Sequence, residues 1–157
     1  MLKLRQVSAE DCRIVWEWAN DPEVRAVSFS PEAIPYKDHL AWFQSKLHDP
    51  GCCCYIDENR AHEPVGEVRY EREGAGAIIS ISLDRKFRGK GYGSSLIRLA
   101  SLEFFEVSDV EVIHAYIKEG NEAAIGAFKK AGFNSIGITR KNEHQAHHLV
   151  LGKEELT

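Results

Sequence analysis

The apolar run Ala77-Ile78-Ile79-Ser80-Ile81-Ser82-Leu83-Asp84 stops three residues short of Arg88-Gly89-Lys90-Gly91-Tyr92-Gly93-Ser94. Beyond Gly91 the residues Leu96, Leu99, Ala100 and Phe104 recur at helical spacing. Strand, Gly-rich loop, then helix is a narrow structural choice. It leaves the first-turn N–H groups of the helix without intrahelical partners, at the positive end of its dipole. The glycines permit close approach of a bulky anion, and Arg88 and Lys90 add charge. The loop is not a Walker loop, which needs four residues between its first Gly and Gly-Lys. It is not a dinucleotide fingerprint either, because Ser94 stands where that motif has Gly. A tight turn carrying surface cations is the plainer reading of the same residues.

The flanks predict one α/β domain over residues 1–157. Residues 2–7 alternate like a half-buried strand, and Ser8 with Asp11 caps a helix over 9–20. Asp21-Pro22 ends that helix or starts a short second one. Leu40, Phe43 and Leu47 mark a helix from Tyr36 that Pro50-Gly51 ends. Strands are expected at 52–57, 65–72 and 77–84, followed by the helix 91–105, a strand at 110–117, a helix at 121–132, and strands at 133–139 and 147–153. That makes about seven strands in a mixed, mostly antiparallel sheet, with about four helices.

A formal charge of −4 argues against nucleic acid or an anionic membrane as main partner. No stretch reaches the ~20 apolar residues of a membrane span, and residues 1–11 have no signal-peptide pattern. The expected compartment is the cytoplasm. Cys52, Cys53 and Cys54 read as small residues of a buried strand in a reducing environment, and no spacing suits zinc.

Arg88-Gly89-Lys90-Gly91-Tyr92-Gly93 fits the R/Q-x-x-G-x-G/A pattern of the GNAT N-acetyltransferase superfamily. Downstream, "NEAAIGAFKKAGF" (121–133) resembles that superfamily's second motif, and the element order matches throughout. The resemblance implies a GNAT fold and acetyl-CoA as cosubstrate, with no metal. It places the pyrophosphate on Arg88, Gly89, Lys90, Gly91, Tyr92 and Gly93. The pantetheine arm would pair with the backbone of Ile81, Ser82 and Leu83 like an added strand, lined on its other side by Asn121 and Phe128. Residues 16–50 with 65–72 are similar to the subgroup acting on UDP-linked 4-amino sugars in pseudaminic or legionaminic acid synthesis. A ribosomal-protein or peptide N-terminal acetyltransferase, another small-amine acetyltransferase, and a CoA-binding sensor without catalysis are the alternatives. A homodimer is compatible with all of them.

The chain departs from the family where catalysis is concerned. The usual Tyr acid seven residues after the Asn is Phe128, and the usual Glu base five residues before it is Tyr116. Tyr116 remains able to donate a proton. Glu67 is the expected base, on one face of a strand with Arg69 and Glu71; an ion pair with Arg69 is the competing reading. His114 shares a face with Tyr116. His147 and His148 point to opposite faces and suit no metal. Arg25 and Arg69 suit a diphosphate, Phe29 and Trp42 a uracil or sugar face, and His39 a sugar.

Overall fold

The computed structural model describes residues 2–156. Strand β1 (Lys3–Gln6) leads through a short 3-10 turn into α1 (Cys12–Ala19), α2 (Pro22–Ala26) and α3 (Tyr36–Leu47). The meander β2 (Cys52–Glu58), β3 (Pro64–Glu73) and β4 (Gly76–Leu83) follows, then α4 (Tyr92–Val107), β5 (Val112–Lys118), α5 (Glu122–Lys130), β6 (Asn134–Lys141) and β7 (His144–Gly152). The strands form one sheet in the order β1-β2-β3-β4-β5-β7-β6, and only the β4–β5 pair is parallel.

Alternation along β3 divides the sheet into two faces. Val68 and Tyr70 face α4, where the Tyr70 ring stacks on Phe104 at 4.3 Å and its hydroxyl bonds Ser101 Oγ at 2.8 Å. Glu67, Arg69 and Glu71 face the other way, toward α1 and α3. There Val15, Trp18 and Phe43 pack with Ile56 in a smaller core. The sheet is thus buried on both sides at β2 and β3, which makes charge on this second face costly unless it is paired.

Gly66 is set by close approach. A Cβ there would lie 2.6 Å from the Ser82 carbonyl oxygen and 2.9 Å from Leu83 Cδ2. Gly66→Ala is expected to push the end of β4 away and lower stability by roughly 1–3 kcal/mol, read as a lower urea midpoint.

Asp21 caps a separate short helix, its carboxylate accepting from Glu23 N–H with Pro22 in the first turn, so the described residues hold five α-helices against the expected four or so. Two strand starts need correction. Strand β5 begins at Val112, not 110. Strand β7 begins at His144, not 147, because Asn142 and Glu143 both adopt positive φ and close a two-residue hairpin turn. Among the described residues, no helix is long and apolar enough to cross a membrane.

Candidate active site

Strands β4 and β5 pair only at Ala77–Ile113 and Ile78–His114. Beyond Ile78 the two strands part, and the gap opens into a cavity of about 550 Å³. Its walls are the ends of β4 (79–82) and β5 (115–118), α1, the segment 24–34, the inner side of α3, and the start of α5. The divergence leaves backbone groups of 79–83 without a strand partner on that side, the arrangement into which an extended ligand can add.

Eleven of the residues singled out in the sequence meet at this wall: Arg25, Phe29, His39, Trp42, Glu67, Arg69, Ile81, Ser82, Tyr116, Asn121 and Phe128. Leu83 and the loop 88–93 lie outside it, at the end of β4. Gly93 packs close to β4 and α5: an added Cβ would sit 3.6 Å from the side chains of Leu83 and Ala127. Gly91 caps α4 in the left-handed region at φ 83, and no side chain caps the helix. The first-turn amides therefore face outward unclaimed by the helix, as an anion site requires.

Arg88 does not add free charge to that loop. Its guanidinium donates to the Leu83 carbonyl (2.9 Å) and pairs with Glu23 (3.0 Å) and Asp21 (3.4 Å). Arg85 bonds the same Asp21, and this contact with that of Arg88 holds the Asp21 carboxyl down at about 2. Arg88 ties the loop to α2, and Lys90 stands exposed beside it. These carboxylates lie more than 60 residues away in sequence, and no local pattern marks them.

Glu67 is only 4% exposed. Its Oε1 accepts from Arg69 Nη1 and from the Cys54 thiol, each at 3.2 Å. The ion-pair reading and the cavity-facing reading of Glu67 thus hold together: the carboxylate that pairs with Arg69 also lines the cavity. Arg69 also bonds Glu71 and lies 4.7 Å over the Trp42 ring. The part played by Cys54 was missed in the sequence. It faces Arg69 across the β2–β3 register, and burial, then Glu67, pushes its thiol pKa well up, so it is a donor and no nucleophile.

Tyr116 lies at the cavity's far wall. Its ring stacks on His148 at 4.4 Å, with Lys141 Nζ 4.3 Å from the ring centroid. His114 Nδ1 meets His148 Nε2 at 2.8 Å, so His114 is engaged with another ring and is not an independent base. Burial, then Glu73, raises the Tyr116 phenol pKa, which keeps it protonated near neutral pH. Asn121 caps α5 by accepting from Ala124 N–H. Phe128 is buried edge-on against Phe133 at 5.1 Å and carries no proton to give.

Arg25 lies on the cavity wall, with most of its guanidinium turned to the loop. Its guanidinium donates to the Ser30 carbonyl (2.7 Å), to the Glu32 carbonyl (3.3 Å) and to Ser28 Oγ (3.2 Å). It shapes the loop that carries Phe29, whose ring lies 6.3 Å from His144. Lys118 donates to the Ser28 carbonyl from β5 and closes the same loop. Among the described residues, no three His, Cys, Asp or Glu side chains form a metal-sized cluster.

Comparison with known proteins agrees with this geometry. The spermidine N-acetyltransferase of Vibrio cholerae, solved with CoA and spermine, superposes with a TM-score of 0.85 at 17% identity, covering 99% of this chain and 97% of that one. AAC(6')-Ib, solved with ribostamycin and coenzyme A, superposes at 0.86 with 21% identity, covering 98% and 94%. An N-alpha-acetyltransferase of Sulfurisphaera tokodaii is 28% identical over 65 residues; the match spans 41% of this chain and only 39% of that relative. The model of the acetyltransferase (GNAT) domain matches residues 1–134. The chain belongs to the GNAT acetyltransferase family.

Proposed function

We propose that the protein transfers the acetyl group of acetyl-CoA to the primary amine of a small acceptor bearing negative charge, a UDP-linked 4-amino sugar being the favoured case. The observation that carries the reaction is the cleft itself. An unpaired strand edge and a Gly-capped helix start stand on one side of it, with a buried carboxylate across from them. The left-handed Gly91, the outward amides of α4 and the open edge of β4 fit an extended pyrophosphate-bearing thioester. Asn121 and Phe128 complete its channel.

In this reading Glu67 takes the proton from the acceptor ammonium, directly or through one water. The amine nitrogen then attacks the thioester carbonyl; the C–N bond forms, the C–S bond breaks, and the nitrogen gives up its second proton to water. Tyr116, held by His148 and Lys141, is the group positioned to protonate the departing thiolate. Cys54 and Arg69 hold Glu67 in place.

The acceptor class rests on the likeness of residues 16–50 and 65–72 to the UDP-4-amino-sugar subgroup; of the wall's cations, Arg69 is paired with Glu67 and Glu71, while Arg25 and Lys118 hold loop carbonyls. The partial likeness to an N-alpha-acetyltransferase favours a second reading, a peptide N-terminus as acceptor. Release of free thiol from acetyl-CoA, measured against a UDP-4-amino sugar, spermidine, an aminoglycoside and a short peptide, separates these cases. The sugar is expected to be used best. No thiol release above background with any of them would overturn the enzyme reading and leave a CoA-binding sensor.

Gly91→Ala is expected to weaken acetyl-CoA binding about tenfold by calorimetry, since an L side chain at that φ costs roughly 1–2 kcal/mol. Nothing lies within 4 Å of the added Cβ, so the loss comes from the backbone and not from a clash.

A further inference from the structure

We infer that Trp42 is a removable partition that sets how far an acceptor can extend toward α3. The inference rests on the acetyltransferase reading above and concerns the side of the cavity away from the thioester.

A second hollow of about 130 Å³ lies behind the acceptor cavity. Strand β1 stops at Gln6, opposite Tyr55, so Cys52 and Cys53 have no strand beside them on that side. The second half of α3 lines the gap with Phe43, Lys46 and Leu47. Three residues line both spaces: Trp42, Glu67 and Arg69. They are the wall between them.

Only one member of this wall can go without breaking a charge pair. Glu67 is bound to Arg69, and Arg69 also bonds Glu71. Removing either leaves a partner unmatched at a buried site. Trp42 is held by ring contacts. Its ring lies 4.7 Å from the Arg69 guanidinium and 5.5 Å from the His39 ring. Trp16 and Trp18 donate their indole N–H groups to the Ile34 carbonyl and to Asp84. The Trp42 indole makes no such bond among the described residues. Truncating Trp42 therefore orphans no polar group and leaves Arg69 fixed by its two carboxylates. The hollow behind it suits an apolar chain, since Val7, Phe43 and Leu47 line it and Lys46 is occupied by Glu71. At ~30 Å³ per water it has room for about four waters, the size of a short alkyl chain. In the wild type, an amine seated at Glu67 with a linear apolar tail toward α3 meets Trp42. The acceptors admitted are those compact on that side.

The test measures binding and needs no turnover, so it can fail while acetyl transfer stands, and the reverse. Straight-chain primary amines from propylamine to octylamine are titrated by calorimetry into the CoA-bound protein. In the wild type, Kd should improve with chain length and then stop improving short of octylamine, where the tail reaches Trp42. In Trp42→Ala the improvement should continue at about fourfold per added methylene, for about four further carbons. Leu47 lines the small hollow and not the acceptor cavity. Leu47→Phe should therefore abolish the added gain in the Trp42→Ala background and leave the wild-type profile unchanged. A wild-type profile with no break overturns the inference without any variant being made. So does a break at the same length in Trp42→Ala, a gain that survives Leu47→Phe, or a wild-type profile that Leu47→Phe alters.

Discussion

Glu67→Gln is expected to lower kcat for acetyl transfer by about a hundredfold or more, the range over which a positioned base acts. The amide keeps an oxygen for Arg69 and Cys54, so the wall should hold its shape. Arg69 still has Glu71, and the thioester side of the cleft is untouched. Acetyl-CoA affinity should therefore be unchanged. The residual activity carries its own signature. Without a base, only the free amine reacts, so the variant's rate should climb about tenfold per pH unit below the acceptor's pKa, while the wild type levels off earlier. Single-turnover thiol release across pH 6–9 reads both effects. Full activity in Glu67→Gln would remove Glu67 from its role and leave the family assignment standing.

Asp57→Asn should stabilise the protein near neutral pH. Asp57 lies on β2, fully buried, and both its carboxylate oxygens lack a partner among the described residues. Burial alone pushes it from 3.8 up to about 7. The sign follows from proton counting. Between those values the folded protein holds a proton that the unfolded chain has released, so stability falls as pH rises from about 4 to about 7 and is level above that. At ~1.4 kcal/mol per pH unit the loss has an upper bound of roughly 4 kcal/mol. Asparagine cannot ionise, so the variant should match the wild type near pH 4 and exceed it by roughly 2–4 kcal/mol at pH 8. Urea midpoints at the two pH values decide the matter. Parallel curves would show that Asp57 stays protonated or finds a partner in solution.

What the sequence revealed was local. The Gly-rich loop, the Asn121 cap and the β2–β4 meander each rest on spacing within a dozen residues, and all lie where they were expected. What it hid depends on register or on distant pairing. The turn at Asn142-Glu143 lacks the glycine that marks such hairpins. With that turn unseen, β7 was begun three residues late, and nothing set His148 beside Tyr116 and His114. The partners of Arg88, Asp21 and Glu23, lie at the start of α2, far off in sequence, and the loop carbonyls that hold Arg25 leave no mark in sequence. His39 was legible as a polar residue on a helix, but not as a buried ring held between Trp42 and Phe43, since that follows from how α1 meets α3.

The two-rung parallel join between β4 and β5 has a mechanical consequence. It divides the sheet into one plate of four strands and another of three, connected at Ala77 and Ile78 and otherwise through the shared core beneath α4. A body joined this way is expected to yield first in the angle between the plates, which hydrogen exchange at residues 77–79 would register. That motion widens or narrows the mouth of the cleft while side-chain packing below stays whole. A ligand lodged along the open edge of β4 would act as a wedge, trading this breathing for a fixed aperture.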